Sequence, residues 1–444
     1  MKKKPLYKTI WRWHFYAGIL IAPFLLILAV SGGIYLFKPN IEQFLYQDYY
    51  EVEVQTEKSS AEEHINAVLN EYPDATVTRY RPGEADDRSA EVRINLDQES
   101  YTIFVNPYTN ELIGQLNDKN RLIDRVEEFH GELMLGTFGD RIVELAACWT
   151  LILVTTGLFI WFPKGKRKLF GTLLPRFNKN KRILFRDMHA VTGFWLSFAI
   201  IFLVVTGLLW SGFWGTKVQT LTTNLGIGYP PSIWVGDAPE SNVQTKDVAD
   251  VPWSAQTMPV PESDQQGFIP FSINEIVRIA DEENIYPTYE VIYPSSPEGV
   301  YTVSVFPPKA QDEATMHIDQ YTGAILADYR YDHYQPLGKL MAWGITVHKG
   351  LEYGLANQIG GLIVCIGIIT IVISGIVMWW KRKPDKHLGA PIAPSIWSSK
   401  RLIVLLVLFG LLFPLVGVSI IIVFLLDWLI IRRIPTLKRI FQIR

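Results

Sequence analysis

The stretch 347–380 decides how this chain is read. It opens Val-His-Lys-Gly-Leu-Glu-Tyr-Gly at 347–354, continues as a long apolar run and closes Ser-Gly-Ile-Val-Met-Trp-Trp at 374–380. A single histidine heads a segment long enough to cross a membrane. The chain contains this stretch twice. Phe-His-Gly-Glu-Leu-Met-Leu-Gly at 129–136 leads through a second apolar run to Thr-Gly-Leu-Phe-Ile-Trp-Phe at 156–162. Laid over each other without a gap, His130 meets His348, Gly136 meets Gly354, Thr156-Gly157 meets Ser374-Gly375, and Trp161 meets Trp379. Two more spans match in the same way. Trp-His-Phe-Tyr-Ala-Gly at 13–18 pairs with Met-His-Ala-Val-Thr-Gly at 188–193, so that His14 meets His189, Gly18 meets Gly193, and Ser31-Gly32 meets Thr206-Gly207. Each of the four spans carries one histidine at or beyond its end.

Around these repeats the composition is that of an integral membrane protein. Of 444 residues, 49 % are hydrophobic and 13 % aromatic, and the excess is gathered in long runs rather than spread over one soluble core. The net charge of −2 implies no nucleic-acid partner. Cys148 and Cys365 both fall inside spans and read as small packing residues, not as a disulfide or a thiolate metal site. Lys2-Lys3-Lys4 before an apolar run imitates a signal peptide. The run continues to Phe37 without an Ala-x-Ala cleavage site, which reads as an uncleaved anchor.

Charge then sets the orientation. Lys2, Lys3, Lys4, Lys8 and Arg12 precede the first span and keep the N-terminus in the cytoplasm. The loop 163–186 holds Lys164, Lys166, Arg167, Lys168, Arg176, Lys179, Lys181, Arg182 and Arg186 and no acid, so it too is cytoplasmic. Span 4 stops at Lys381-Arg382-Lys383 on the same side. The expected segments are span 1 (1–38), an outside module (39–128), span 2 (129–163), a basic cytoplasmic loop (164–186), span 3 (187–212), a second outside module (213–341), span 4 (342–381), and a cytoplasmic linker with a C-terminal hydrophobic segment (382–444). Within that last segment, 402–431 is too long for one upright span and short for two. Pro414 and Gly417 stand at its middle, and a short helical hairpin is expected rather than one tilted, kinked span.

The two outside modules match each other as well. Ser60-Ala-Glu-Glu63 and Ser272-Ile-Asn-Glu275 fit the capping box that starts a helix. Each is followed by alternating strand-like sequence, Glu-Val-Arg-Ile-Asn-Leu at 91–96 and Tyr-Thr-Val-Ser-Val-Phe at 301–306. Each ends in a turn, Asn-Pro-Tyr-Thr-Asn at 106–110 and Asp-Gln-Tyr-Thr-Gly at 319–323, with Asn110 and Gly323 where a positive φ is needed. The expected fold class is therefore a membrane α-helical protein. It has a four-helix transmembrane core from a tandem duplication, two extracytoplasmic α+β modules and a C-terminal hydrophobic hairpin. Both repeats contain an even number of spans, so they share one orientation and are related by a twofold axis along the membrane normal.

That axis pairs the histidines. His14 and His189 come to one depth on the cytoplasmic side, and His130 and His348 form a second pair on the outer side. Two imidazoles per layer, in apolar surroundings without a carboxylate or thiolate beside them, suit bis-histidine ligation of a haem iron. A closed zinc site wants four ligands. The expected cofactors are two b-type haems, with His14, His189, His130 and His348 as the axial metal ligands. Gly18 and Gly193 leave room for the porphyrin, and Arg12 and Arg186 are candidates for its propionates. Ionisable residues in spans are usually functional, but a lone interfacial histidine is often only a polar anchor. His64, on a soluble helix, His317, on an expected strand, His333, in a loop, and His387, among cytoplasmic lysines, are read as structural residues and not as ligands. The Ser/Thr-Gly pairs are read as small-residue helix packing, and Trp161, Trp379 and Trp380 as interfacial belt residues.

The motifs Trp-Arg-Trp-His-Phe-Tyr-Ala-Gly at 11–18, Phe-His-Gly-Glu-Leu-Met-Leu-Gly at 129–136, Met-His-Ala-Val-Thr-Gly at 188–193, Val-His-Lys-Gly-Leu-Glu-Tyr-Gly at 347–354 and the two Tyr-Thr-Asn/Gly turns together resemble the PepSY-associated transmembrane family. The resemblance covers the chain apart from the C-terminal hairpin. Asn110 stands where the family's turn has glycine. The family is associated with bacterial iron acquisition, and some members resemble inner-membrane siderophore reductases with two haems in a four-helix core. By that likeness the outer modules are PepSY domains, the four matched histidines are the haem ligands, and the chain sits in the bacterial inner membrane as a multi-pass protein.

The expected function is transmembrane electron transfer to an acceptor outside, a ferric siderophore or other ferric chelate, which would make the chain a haem-dependent ferric-chelate reductase. Electrons would enter at the His14/His189 side. No Gly-x-Gly-x-x-Gly fingerprint is present, so the donor would be a quinol or a separate cytoplasmic reductase. The other partners are membrane lipid and the chelate. One alternative is a non-enzymatic accessory membrane protein whose PepSY modules bind a peptide or protein partner. Another is an iron or haem permease, which the lack of broken spans with polar midplane residues disfavours.

Overall fold

The computed structural model describes residues 5–162, 169–227, 244–256, 258, 260–263, 269–384, 387–390 and 400–442. Lys2, Lys3, Lys4, Lys164, Lys166, Arg167 and Lys168, which carry much of the expected inside charge, lie outside the described residues. In chain order the elements begin with α1 (Pro5–Tyr35), α2 (Lys38–Tyr50), α3 (Ala61–Glu71), β1 (Thr76–Arg81), β2 (Ala90–Leu96), β3 (Glu99–Val105) and β4 (Leu112–Asn117). They continue with α4 (Leu122–Glu132), α5 (Gly136–Trp161), α6 (Lys181–Leu208), α7 (Trp214–Asn224), α8 (Thr245–Val248) and α9 (Ile273–Glu282). Strands β5 (Glu290–Ile292), β6 (Val300–Val305), β7 (Ala314–Asp319) and β8 (Ile325–Arg330) follow. The chain closes with α10 (Pro336–His348), α11 (Leu355–Trp380), α12 (Lys400–Leu412), α13 (Pro414–Leu426) and α14 (Pro435–Phe441). It divides into two units, one of residues 1–34, 127–216 and 359–444, the other of 35–126 and 217–358.

The first unit is helical. Among the described residues five helices are long and apolar enough to cross a membrane: Leu6–Tyr35, Gly136–Trp161, Lys181–Leu208, Leu355–Trp380 and Pro414–Ile431. Inside a bilayer the backbone must satisfy its own hydrogen bonds, and these runs do so as helices despite their many β-branched residues. The chain is a multi-pass membrane protein. Within the unit the helices meet at small residues. Gly18 of α1 faces Leu153 of α5, and Gly33 of α1 packs on Cys365 of α11. Gly367 of α11 takes the tip of Leu196 from α6. Cys148 and Ile152 of α5 share a buried cluster with Leu208 of α6 and with Phe413 and Val416. Both cysteines are free and buried.

Helix boundaries differ from the expected ones in a way that matters for the histidines. From His130 to Trp161 a continuous helix would run about 46 Å, so either a break near Gly136–Gly139 or a His130 at the outer surface is expected. The chain does break: His130 and His348 each belong to a separate short helix, α4 or α10, that stops before the long helix begins. The break after α4 falls at Leu133, Met134 and Gly136, all with positive φ (53°, 60° and 56°). After α10 it falls at Gly350 (φ 80°) and Gly354 (φ 55°). His14 and His189, placed by the sequence at the starts of spans 1 and 3, lie more than two turns inside α1 and α6, because both helices extend back into their basic flanks.

At the C-terminus, a Cβ on Gly410 would lie 3.1 Å from the Cα of Gly417. Residues seven apart in one straight helix would be separated by about 10 Å, so the chain turns back at Phe413-Pro414. The second arm rests on α5, where the Trp149 indole donates to Ser419 Oγ at 3.1 Å.

The second unit is built on one antiparallel sheet of order β4-β3-β2-β1-β5-β6-β7-β8. The expected modules are not two separate small sheets. They share a single one, joined where Arg79 and Tyr80 of β1 pair with Ile292 and Val291 of β5. Strand alternation buries Val92, Ile94, Ile103, Val105, Val291, Val303, Met316 and Ile318 against Ile65 and Val68 of α3 and Ile276 and Ala280 of α9. Each such apolar side chain contributes about 1.5–3 kcal/mol on burial. Both expected capping boxes form, Ser60 with Glu63 and Ser272 with Glu275. In both turns the residue in the left-handed region is the expected one, Asn110 (φ 60°) and Gly323 (φ 67°). At 323 a Cβ would also overlap the Phe271 ring, so glycine is needed there for space as well as for φ.

His317 lies fully buried on β7, with Nδ1 3.0 Å from Thr302 Oγ1 and Nε2 3.4 Å from Thr245 Oγ1. Burial holds its pKa down at about 4. The unfolded chain, with an ordinary histidine near 6.5, binds a proton between pH 6.5 and 4 that the folded unit does not. Stability is therefore full above pH 6.5 and falls as pH drops through this window, by up to about 3 kcal/mol. Unfolding midpoints of the full-length protein against pH should show this slope, and His317→Gln should flatten it.

Candidate functional site

The first unit brings His14 and His189 together. Their ring centres are 6.2 Å apart, with ring planes at 84°. Two imidazoles that both face one metal ion have this separation: about 2 Å for each metal–nitrogen bond and about 1 Å from each nitrogen to its ring centre. Space is left beside the pair. A Cβ on Gly193 would meet nothing within 4 Å, and one on Gly18 only Leu153 at 3.9 Å.

The Ser/Thr-Gly pairs do more than helix packing. Thr156 Oγ1 lies 3.0 Å from His14 Nδ1, and a Cβ on Gly157 would come within 3.1 Å of the same ring. Ser31 Oγ lies 2.9 Å from His130 Nδ1, and a Cβ on Gly32 would come within 3.0 Å of that ring. His189 Nδ1 lies 2.8 Å from the carbonyl oxygen of Ile371, and a Cβ on Gly375 would come within 3.2 Å of the same nitrogen. In each case the hydroxyl-bearing or neighbouring backbone oxygen fixes one nitrogen, while the glycine makes room for the ring. For Ser31-Gly32 and Thr156-Gly157 the packing reading is corrected accordingly, because a helix–helix contact alone would not put an oxygen on Nδ1.

These contacts fix the tautomers. Thr156 donates its hydroxyl proton to the Ile152 carbonyl at 2.6 Å, and Ser31 donates to the Ile27 carbonyl at 2.7 Å. Both oxygens must then accept from the imidazole, and a backbone carbonyl can only accept. Nδ1 therefore carries the proton in His14, His130 and His189, and Nε2 keeps its lone pair. This is the state of a metal-binding histidine oriented by its other nitrogen. His348 closes α10 in the second unit.

The remaining candidates are placed elsewhere. His64 is bound at both nitrogens, to Tyr80 at 2.8 Å and the Pro107 carbonyl at 3.3 Å, and His317 is likewise bound at both. His333 ends a 3-10 turn, and His387 Nδ1 accepts from Gly389 N. Arg12 donates to the Phe441 carbonyl at 2.7 Å and lies over the Tyr16 ring. Arg186 and Arg176 both bind the fully buried carboxylate of Asp187, so Arg186 is committed there. Asp187 and Glu144 were missed in the sequence. Glu144, 2 % exposed on α5, accepts from the backbone of Phe213 and Trp214 at 3.1 Å each and fixes the start of α7. An acid inside an apolar span is the signal that points to such a residue. Trp161 and Trp379 donate to the Thr172 and Leu388 carbonyls and tie loops to span ends.

Among the described residues no cluster of three or more His, Cys, Asp or Glu side chains could hold a bare metal ion. The model of the PepSY-associated TM region matches residues 11–382. The chain belongs to that family. In this PepSY-associated membrane protein the match takes in all four repeat histidines, both modules, α1 from Trp11 onward and the elements through α11, and leaves the C-terminal hairpin outside. No curated protein matches the chain.

Proposed function

We propose that this protein is a transmembrane dihaem electron carrier of the bacterial inner membrane that reduces a ferric chelate, such as a ferric siderophore, on the outer side. The observation that carries this reading is the fixed Nδ1–H tautomer of His14, His189 and His130, combined with the 6.2 Å approach of His14 and His189. His14 and His189 would hold one haem. His130 and His348, matched by the sequence repeat, would hold the other. Each haem, when bound, supplies one-electron redox chemistry.

The chain's own residues orient the ligands and keep the pocket apolar. Thr156, Ser31 and the Ile371 carbonyl hold each imidazole proton on the nitrogen away from the metal and raise the basicity of the other. The successive contacts of α1 with α5, α5 with α6, α6 with α11, and α11 with α1 support a four-helix core. The sheet reads the same from either edge, and the two capping boxes and two left-handed turns match, which supports a tandem duplication. The basic residues beside the spans support a cytoplasmic N-terminus and extracytoplasmic modules. A quinol or a separate reductase would supply the electrons, one for each ferric ion reduced.

The test is to reduce the purified protein anaerobically and mix it with a ferric chelate. The expected result is reoxidation with one ferrous ion formed per haem. Haems that stay reduced in the presence of the chelate would rule out this acceptor class.

A further inference from the structure

Arg12 and Arg186, the arginines nearest in sequence to the inner pair, are engaged by the Phe441 carbonyl and by Asp187. A different pair of arginines remains on the stripe that carries the site. Arg182 precedes His189 by seven residues on α6, two turns along the same face and about 10 Å away. Arg382 follows Gly375, the glycine against His189, by the same seven residues. The turn past the end of α11 continues the helical path to it, with Arg382 N bonded to the Trp379 carbonyl at 3.0 Å. The Arg382 guanidinium lies over the Trp11 ring at 5.0 Å, and Trp11 is one turn before His14 on α1. Three helices thus deliver two cations and an aromatic face to the same end of the His14/His189 site. Partial burial and the charge of Arg182 both hold Arg382 below the ordinary arginine range. Two like charges brought this close are favourable when an anion lies between them.

We infer that Arg182 and Arg382, with Trp11 as backing, form a carboxylate clamp that holds the propionates of the haem ligated by His14 and His189. The inference rests on the dihaem reading. The guanidinium fork matches a carboxylate with two parallel hydrogen bonds, and stacking on Trp11 presets one of the forks. Neutralising the propionates removes negative charge near the iron, which would otherwise favour the ferric state.

The experiment uses the full-length protein, wild type and Arg182→Gln/Arg382→Gln, loaded with haem or with haem dimethyl ester, whose propionates are uncharged. Wild type should prefer haem over the ester at one of its two sites. The double variant should lose about tenfold of that preference, and one of its two haems should titrate at a lower potential. Arg182→Lys/Arg382→Lys, which keeps the charge without the fork, should fall between and guards against a folding defect in the glutamine variant. Unchanged ester preference and potentials in the double variant would overturn the inference and leave the two arginines to lipid phosphate. Wild type that takes up neither haem nor ester would instead overturn the dihaem reading beneath it.

Discussion

His189→Ala is expected to abolish one of the two haems, or convert it to a high-spin form, while the other keeps its spectrum. Electron delivery to a ferric chelate should fall by more than about 100-fold, since loss of an oriented ligand costs more than the 10–100-fold of its supporting hydrogen bond. His14→Ala should affect the same haem, and the double variant should be no worse than either single one, because both histidines serve one site. Their ring centres are 6.2 Å apart, and each has its proton fixed on Nδ1, by Thr156 in one case and by the Ile371 carbonyl in the other. If the rings only filled space, His189→Ala would cost packing energy on the order of 2 kcal/mol and change no haem signal. His64→Ala is the natural control, because His64 is already satisfied by Tyr80 and Pro107.

Gly193→Leu separates the needs of the cofactor from those of the chain. A Cβ at Gly193 meets nothing within 4 Å, so a larger side chain starts into open space. Leucine also favours helix over glycine by roughly 0.5–1 kcal/mol. Thermal stability without haem should therefore hold or rise. The haem ligated by His14 and His189 should be lost almost completely, because the new side chain stands one turn from His189, in the room left for the porphyrin. Haem content and melting temperature, measured on the same preparation, read the two effects separately. A Gly193→Leu protein with full haem would place the ring elsewhere or nowhere. Gly157→Val offers the opposite case. Its Cβ would press on the His14 ring at 3.1 Å, so it should disturb the ligand itself.

Much of this arrangement was legible in the sequence. The gapless match of His130 with His348 and of His14 with His189 singled out the histidines, and His14 and His189 do approach each other. The capping boxes at Ser60 and Ser272 and the left-handed residues Asn110 and Gly323 were local signals, and local physics decides them. Three things were not legible. Hydropathy ends where charge begins, but a helix does not. Lys181 to Met188 continue α6 through a basic stretch, so His189 came to lie inside the helix. Merging of the modules into one sheet depends on the pairing of β1 with β5, whose residues lie more than 200 positions apart and leave no periodic trace. The Ser/Thr-Gly pairs were visible as a repeat, but their partner ring comes from a different helix, and only the packed unit brings Thr156 to His14 and Ser31 to His130.

The most direct measurement is the haem-to-protein ratio of the purified full-length chain, taken with its reduced-minus-oxidised spectrum. The account predicts two b-type haems per chain, both low-spin with bis-histidine ligation. Well-folded protein without haem would contradict it, and would return His14, His130 and His189 to the role of buried polar residues bridging helices.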